Sequence, residues 1–235
     1  TDLCRCRFAV MNPELTYTLP DYQTQCGCTD IMMHTMERYF NMSEDMELTD
    51  GISEALIKTV MKHSKILKEH PDCYESRAEV MWASSLSHNG LTGCGTDGGD
   101  WACHQLEHEI GGMFDVAHGA GLAAVWGSWA RYVYKARPER FAKFARNIFD
   151  IQETDDEKAA VAGIEAMESY YRSVGMPTSL CELGIHATEE QIKEMADKCS
   201  FYGKRTVGVM KKIGAPEASE IYRMANDKSI PLYSR

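Results

Sequence analysis

Two segments of the chain concentrate residues able to hold a cation. Asp30 and His34 are four positions apart. On a helix, positions i and i+4 share a face, so a carboxylate and an imidazole so spaced can point at one ion. Alone, that spacing is equally the spacing of a solvated pair. The second segment is denser. His104, His108 and His118, three of the eight histidines, fall within fifteen residues. His104 and His108 share a helix face, and His118 follows the expected helix end, in a turn able to fold it back beside His104. The neighbouring glycines let another group approach the backbone closely. Imidazole is the commonest protein ligand for divalent transition metals, so the sequence predicts a metal site here.

Two ligand sets compete. One takes His104-Gln105-Leu106-Glu107-His108 as an H-x-x-E-H motif of inverzincin type. That arrangement has two ligand histidines and a glutamate base for hydrolysis, with Glu182 downstream as a third ligand. The other set is Asp30, His34, His104 and His118, with His108 just outside the metal shell. Cysteine offers no competing site. Of the nine cysteines, Cys4/Cys6 and Cys26/Cys28 each enclose one residue, tighter than a zinc knuckle. They are expected as reduced thiols, small and mostly buried. Trp101 is expected as a packed core indole rather than a wall of the substrate pocket, and Glu107 and Glu109 are expected to orient histidines or face solvent.

The elements that carry these residues read as helical almost throughout. Apolar positions at helical spacing predict helices over about 29–40, 49–68, 74–86, 100–114, 118–134, 138–149, 154–174, a segment opening at Thr188, and 216–224. Asp100 is read as an N-cap, Pro138 as a first-turn proline, and Thr188 through Gln191 as a capping box. The 14 methionines are expected as core filler. The glycine-rich run from Gly90 to Gly99 follows a helix rather than a strand, so it is not read as a phosphate loop. Ahead of the helices, Arg7–Met11 and Leu15–Leu19 are strand-like, closed by Asn12-Pro13 and Pro20.

Composition bounds the function. The 235 residues are 44% hydrophobic and 26% charged, ample for a core without a disulfide framework. The balance of 25 basic against 35 acidic residues, net −10, argues against nucleic acid or an anionic membrane as partner. No stretch approaches the roughly 18 apolar residues of a membrane span. The first residues lack the apolar core of a signal peptide. With unpaired cysteines, these features predict a cytoplasmic location.

Five stretches together resemble one family. They are Asn12-Pro13-Glu14-Leu15-Thr16, the run from Thr29 to Tyr39, His88-Asn89-Gly90-Leu91, the run from Gly99 to Ile110, and the run from Asp115 to Ala123. From about Phe8 onward the chain resembles the iron-containing (group III) alcohol dehydrogenases, especially the butanol dehydrogenase branch. The resemblance implies an all-α helical bundle, the C-terminal metal domain of the dehydroquinate synthase-like fold, over residues 21–235. Residues 1–20 resemble the end of the family's α/β dinucleotide-binding domain. It implies Asp30, His34, His104 and His118 as metal ligands, Fe2+ or alternatively Zn2+ as the ion, and His108 beside nicotinamide and substrate. It implies an NAD(P)-dependent alcohol or aldehyde oxidoreductase. No pyrophosphate loop precedes Asp30, so the chain is expected to be the metal-binding half, a fragment whose partner is the missing dinucleotide domain. A homodimer, self-association through an apolar surface near residues 1–20, and a non-catalytic metal-binding remnant complete the expectations.

Overall fold

The structure, a computed structural model, describes Cys4 and residues 6–227. The extreme ends of the expected segments 1–20 and 21–235 lie outside the described residues. Nine α-helices are described: α1 Asp21–Tyr39, α2 Glu47–Glu69, α3 Tyr74–His88, α4 Ala102–Phe114, α5 His118–Val133, α6 Pro138–Phe149, α7 Asp156–Ser173, α8 Glu189–Cys199 and α9 Ala215–Asn226. No named strand occurs among the described residues, where a lone antiparallel bridge joins Val207 and Ile213. The all-α expectation therefore holds.

α5 is the axis of the bundle. Its sequence is apolar on every side, and every residue from Gly119 to Arg131 is buried, as a helix without a polar face must be. α1, α4, α7 and α9 pack on it. α1 also packs on α2 and α3, α6 on α7, and α8 on α4 and α9. The core is aromatic and methionine-rich. Phe40 stacks on Phe141 at 4.4 Å and meets the ring of Trp129 edge-on at 5.6 Å. Met32, Met33 and Met36 from α1 are fully buried. Two charged links cross the core: Arg131 to Glu168 at 2.6 and 2.8 Å, and Arg140 to Asp50, which Lys143 also reaches at 2.6 Å.

Three expectations change. α1 begins at Asp21 rather than near Thr29. Thr24, Gln25, Cys26 and Cys28 carry no apolar period, yet all are buried there. Gln25 is made tolerable by donating to Ser64 O at 3.1 Å. The strand-like runs at 7–11 and 15–19 do not pair. Residues 8–12 have no regular element, and Pro13–Thr16 forms a 3-10 turn whose cap, Asn12, accepts from Glu14 N. A strand needs a neighbouring edge, and no described segment offers one. Phe8, Val10 and Leu15 are consequently exposed. No disulfide joins the cysteines among the described residues; Cys26, Cys28, Cys103 and Cys199 are buried as expected, whereas Cys4, Cys6 and Cys94 are exposed. Among the described residues no helix is long and apolar enough to cross a membrane.

Candidate metal centre

Four elements converge at one end of α1. α1 brings Asp30, His34 and, one turn further, Glu37. α4 brings His104, Glu107 and His108. α5 opens with His118, and α3 ends with His88. The α1–α4 junction is set by the glycine-rich loop. A Cβ at Gly99 would collide with the carbonyl oxygen of Glu37, so only glycine lets the loop pass that close. Asp100 N then donates to the same oxygen at 2.8 Å. The expected N-cap role of Asp100 is shifted by one residue. The cap position is Trp101, with φ +60°, while Asp100 Oδ1 accepts from Ala102 N at 3.1 Å. Its Oδ2 accepts from Val209 N and Met210 N at 2.8 and 2.9 Å. Asp100 thus ties the start of α4 to α1 on one side and to the loop before α9 on the other. Burial and the nearby charge of Glu37 push its carboxyl up to about 7, against those three N–H donors.

The donor geometry is compact. Asp30 Oδ1 lies 3.6 Å from His34 Nε2, 3.5 Å from His104 Nε2 and 3.5 Å from His118 Nε2. A tetrahedral ion with bonds of about 2.0–2.2 Å has ligand–ligand edges of roughly 3.3–3.6 Å. Asp30 Oδ1 and His104 Nε2 are buried and make no hydrogen bond. Buried polar atoms are ordinarily paired, and a cation here would pair these: one ligand atom each from Asp30, His104 and His118 lie within 4.8 Å of one another, whereas His34 forms such a group with Asp30 and His88. The residues present therefore fit a divalent ion.

A second layer of carboxylates aims the imidazoles. Glu37 Oε1 accepts from His104 N at 2.9 Å and from His104 Nδ1 at 3.2 Å. Glu107 Oε2 accepts from His118 Nδ1. With both Nδ1 atoms so engaged, each ring presents Nε2 toward Asp30. Such carboxylate–histidine pairs fix tautomer and orientation around metals. Glu107 fits because α5 has glycine opposite it: a Cβ at Gly121 would stand 2.6 Å from Glu107 Oε1.

The electrostatics favour positive charge. Burial acts to raise the Asp30 pKa, but the facing imidazoles His104 and His118 outweigh it and hold the carboxyl below the usual range. Burial pushes His34 down to about 4, leaving a neutral ring with a free lone pair. Asp30 and Glu107 pull His118 up to about 10.

Of the four expected ligands, Asp30, His104 and His118 form one three-donor group, while His34 approaches the same Asp30 oxygen and groups with Asp30 and His88. His108 lies to one side, its ring stacked 5.7 Å from that of His118 and 6.3 Å from that of His104. The H-x-x-E-H set does not assemble. Among the described residues no group of three donors unites His104 with His108. Glu107 is buried against His118 rather than poised as a base. Glu182 is engaged by Thr178 N and Oγ1 at 2.7 and 2.9 Å. Trp101 is not a core indole. It is partly exposed, donates Nε1–H to Gly98 O at 2.6 Å, and walls the centre with its ring 5.5 Å from His34 and 5.3 Å from His104. Glu37 and His88 escaped the sequence reading. Nothing in the sequence links His88 to α1.

Residues 24–225 match the family model described as the C-terminal region of the Fe-containing alcohol dehydrogenase family. The chain is 37% identical over 224 residues to NADH-dependent butanol dehydrogenase A of Clostridium acetobutylicum, covering 94% of this chain and 57% of that protein. It is 32% identical over 219 residues to the NADPH-dependent aldehyde reductase YqhD of Escherichia coli, covering 93% and 56%. The crystal structure of NADH-dependent butanol dehydrogenase A from Thermotoga maritima superimposes with a TM-score of 0.86 at 36% identity, covering 92% of this chain and 55% of that one. The chain spans about half the length of the curated relatives it matches.

Proposed function

The chain belongs to the iron-containing alcohol dehydrogenase family, matching its C-terminal region over residues 24–225, and from that premise we propose that it is the metal-binding part of an NAD(P)-dependent alcohol dehydrogenase or aldehyde reductase. In this reading residues 21–235 are the helical metal domain and residues 1–20 the end of a dinucleotide-binding domain, which holds NAD(P). Asp30, His34, His104 and His118 hold a divalent ion, Fe2+ or alternatively Zn2+. One carboxylate with three imidazoles suits those ions better than Mg2+ or Ca2+, which prefer oxygen shells. The bound ion supplies Lewis acidity, polarising an alcohol or carbonyl oxygen for hydride transfer.

The observation that carries the reading is the single carboxylate oxygen of Asp30, faced by three imidazole nitrogens at 3.5–3.6 Å. Glu37 and Glu107 hold two of those imidazoles in register. His108 is the proton relay. It is exposed beside the centre, and burial of part of its ring lowers its pKa, so the ring is neutral and able to take a proton at a nitrogen. The substrate class is small alcohols and aldehydes, as the names of the relatives suggest. A homodimer, or self-association through the exposed Phe8, Val10 and Leu15, and a cytoplasmic location, where thiols not joined in disulfides stay reduced, belong to the same reading.

The test is metal content by mass spectrometry on protein purified without oxygen, comparing wild type with His118→Ala and His108→Ala. Metal lost with His118 and kept with His108 is the expected result. Metal kept with His118 and lost with His108 overturns the dehydrogenase reading and favours the hydrolase motif.

A further inference from the structure

His88 ends α3 with its ring 4.0 Å from the ring of His34. Its hydrogen bonds fix its tautomer. Nδ1 lies 2.9 Å from Ser84 O, an atom that only accepts, and 2.7 Å from Ser87 Oγ. The Ser87 hydroxyl spends its one proton on Ser84 O, at 2.9 Å, so toward His88 its oxygen accepts as well. Nδ1 therefore carries a proton, and in the neutral ring Nε2 is a bare lone pair.

That lone pair lies 3.7 Å from Asp30 Oδ2. The other three histidines approach Oδ1. Two acceptors facing each other repel. A separation of 3.7 Å is just above the edge between two ligands of one ion, roughly 3.3–3.6 Å. One candidate ligand atom each from Asp30, His34 and His88 lie within 4.8 Å of one another; with His34 Nε2 given to the inner ion, Asp30 Oδ2 and His88 Nε2 are the protein donors left to an outer one. The His88 side chain is 41% exposed, so water can complete a shell.

We propose that Asp30 Oδ2 and His88 Nε2 form a second, outer cation site that shares the Asp30 carboxylate with the inner four-donor site and takes a divalent ion of the zinc type. A carboxylate with an imidazole selects such ions over Mg2+ and Ca2+. Having fewer protein donors and more solvent, the outer site binds more weakly than the inner one. The proposal rests on Asp30 being a ligand of the inner site.

Calorimetric titration of the chain with Zn2+ tests it, beside His88→Ala, His88→Gln and His104→Ala, each first checked for native helicity by circular dichroism. Wild type is expected to show a tight and a weaker class of site. Both His88 variants lose the weaker class and keep the tight one; the glutamine variant preserves side-chain bulk should alanine fail to fold. His104→Ala loses the tight class and keeps the weaker. A weaker class that persists in the His88 variants overturns the outer site, and so does joint loss of both classes, which would put His88 in the inner shell. A tight class that survives His104→Ala overturns the inner reading itself, and the outer proposal falls with it.

Discussion

At the scale of single residues, the proposed centre would depend on carboxylates that are not themselves ligands. Glu107 holds His118 through Nδ1, and Glu37 holds His104 through both its ring and its backbone amide. Glu107→Gln keeps the volume but replaces a charged acceptor by a neutral one that can flip. Metal affinity is expected to fall about 10- to 100-fold, measured by competition with a chromophoric chelator, while far-ultraviolet circular dichroism stays unchanged. Equal affinity in both proteins would remove Glu107 from this role. Of the donors, spacing alone paired Asp30 with His34 on one helix face and left His104, His108 and His118 competing; the set of four came from the family resemblance. Glu37 was not legible there, because its partner is the first turn of α4, and only tertiary packing brings that turn to α1. The His88–Asp30 juxtaposition was hidden for the same reason.

At the scale of elements, the contact between α1 and α5 decides whether the donors meet. Gly119 follows His118 directly, and a Cβ there would collide with the backbone carbonyl of Cys26. Both sides of that contact are backbone, so no side chain can rotate away. Gly119→Ala is expected to cost about 1–3 kcal/mol, typical of overpacking, read as a lower melting temperature, and to lower metal content because His118 moves with the helix. A variant that melts and binds metal like wild type would show that α5 has slack here. Helices with strong apolar periods, such as α2 and α6, were found close to their true limits from sequence. The first two turns of α1 were missed, since Thr24, Gln25, Cys26 and Cys28 are buried without any apolar repeat. The strand-like residues near the start show the converse error. Their side chains favour extended backbone, but pairing is a property of neighbours, and the described structure supplies none.

At the scale of the whole molecule, stability is expected to depend on acid through α2 and α6. Burial raises the Asp50 pKa, but hydrogen bonds from Arg140 and Lys143 outweigh it and hold the carboxyl below its ordinary value of 3.8. A depressed carboxylate contributes stability that is present above the unfolded pKa and lost as pH falls from about 3.8 through the folded value. Urea unfolding of wild type and Asp50→Asn should therefore converge below that range and diverge above it; curves that stay parallel at every pH would remove Asp50 from the acid response. Asp30 and His34 come from α1, His104 from α4 and His118 from α5, so one ion would pin three helices as a cross-link does, joining segments far apart in the chain. An ion that binds only the folded form adds about 4 kcal/mol when free at a thousand times its dissociation constant. Heating the protein with and without a chelator should then give two melting temperatures, the lower one without the ion, and the gap should widen as more ion is supplied. In that reading the ion would be part of the architecture, and withdrawing it would loosen the bundle where α1, α4 and α5 meet.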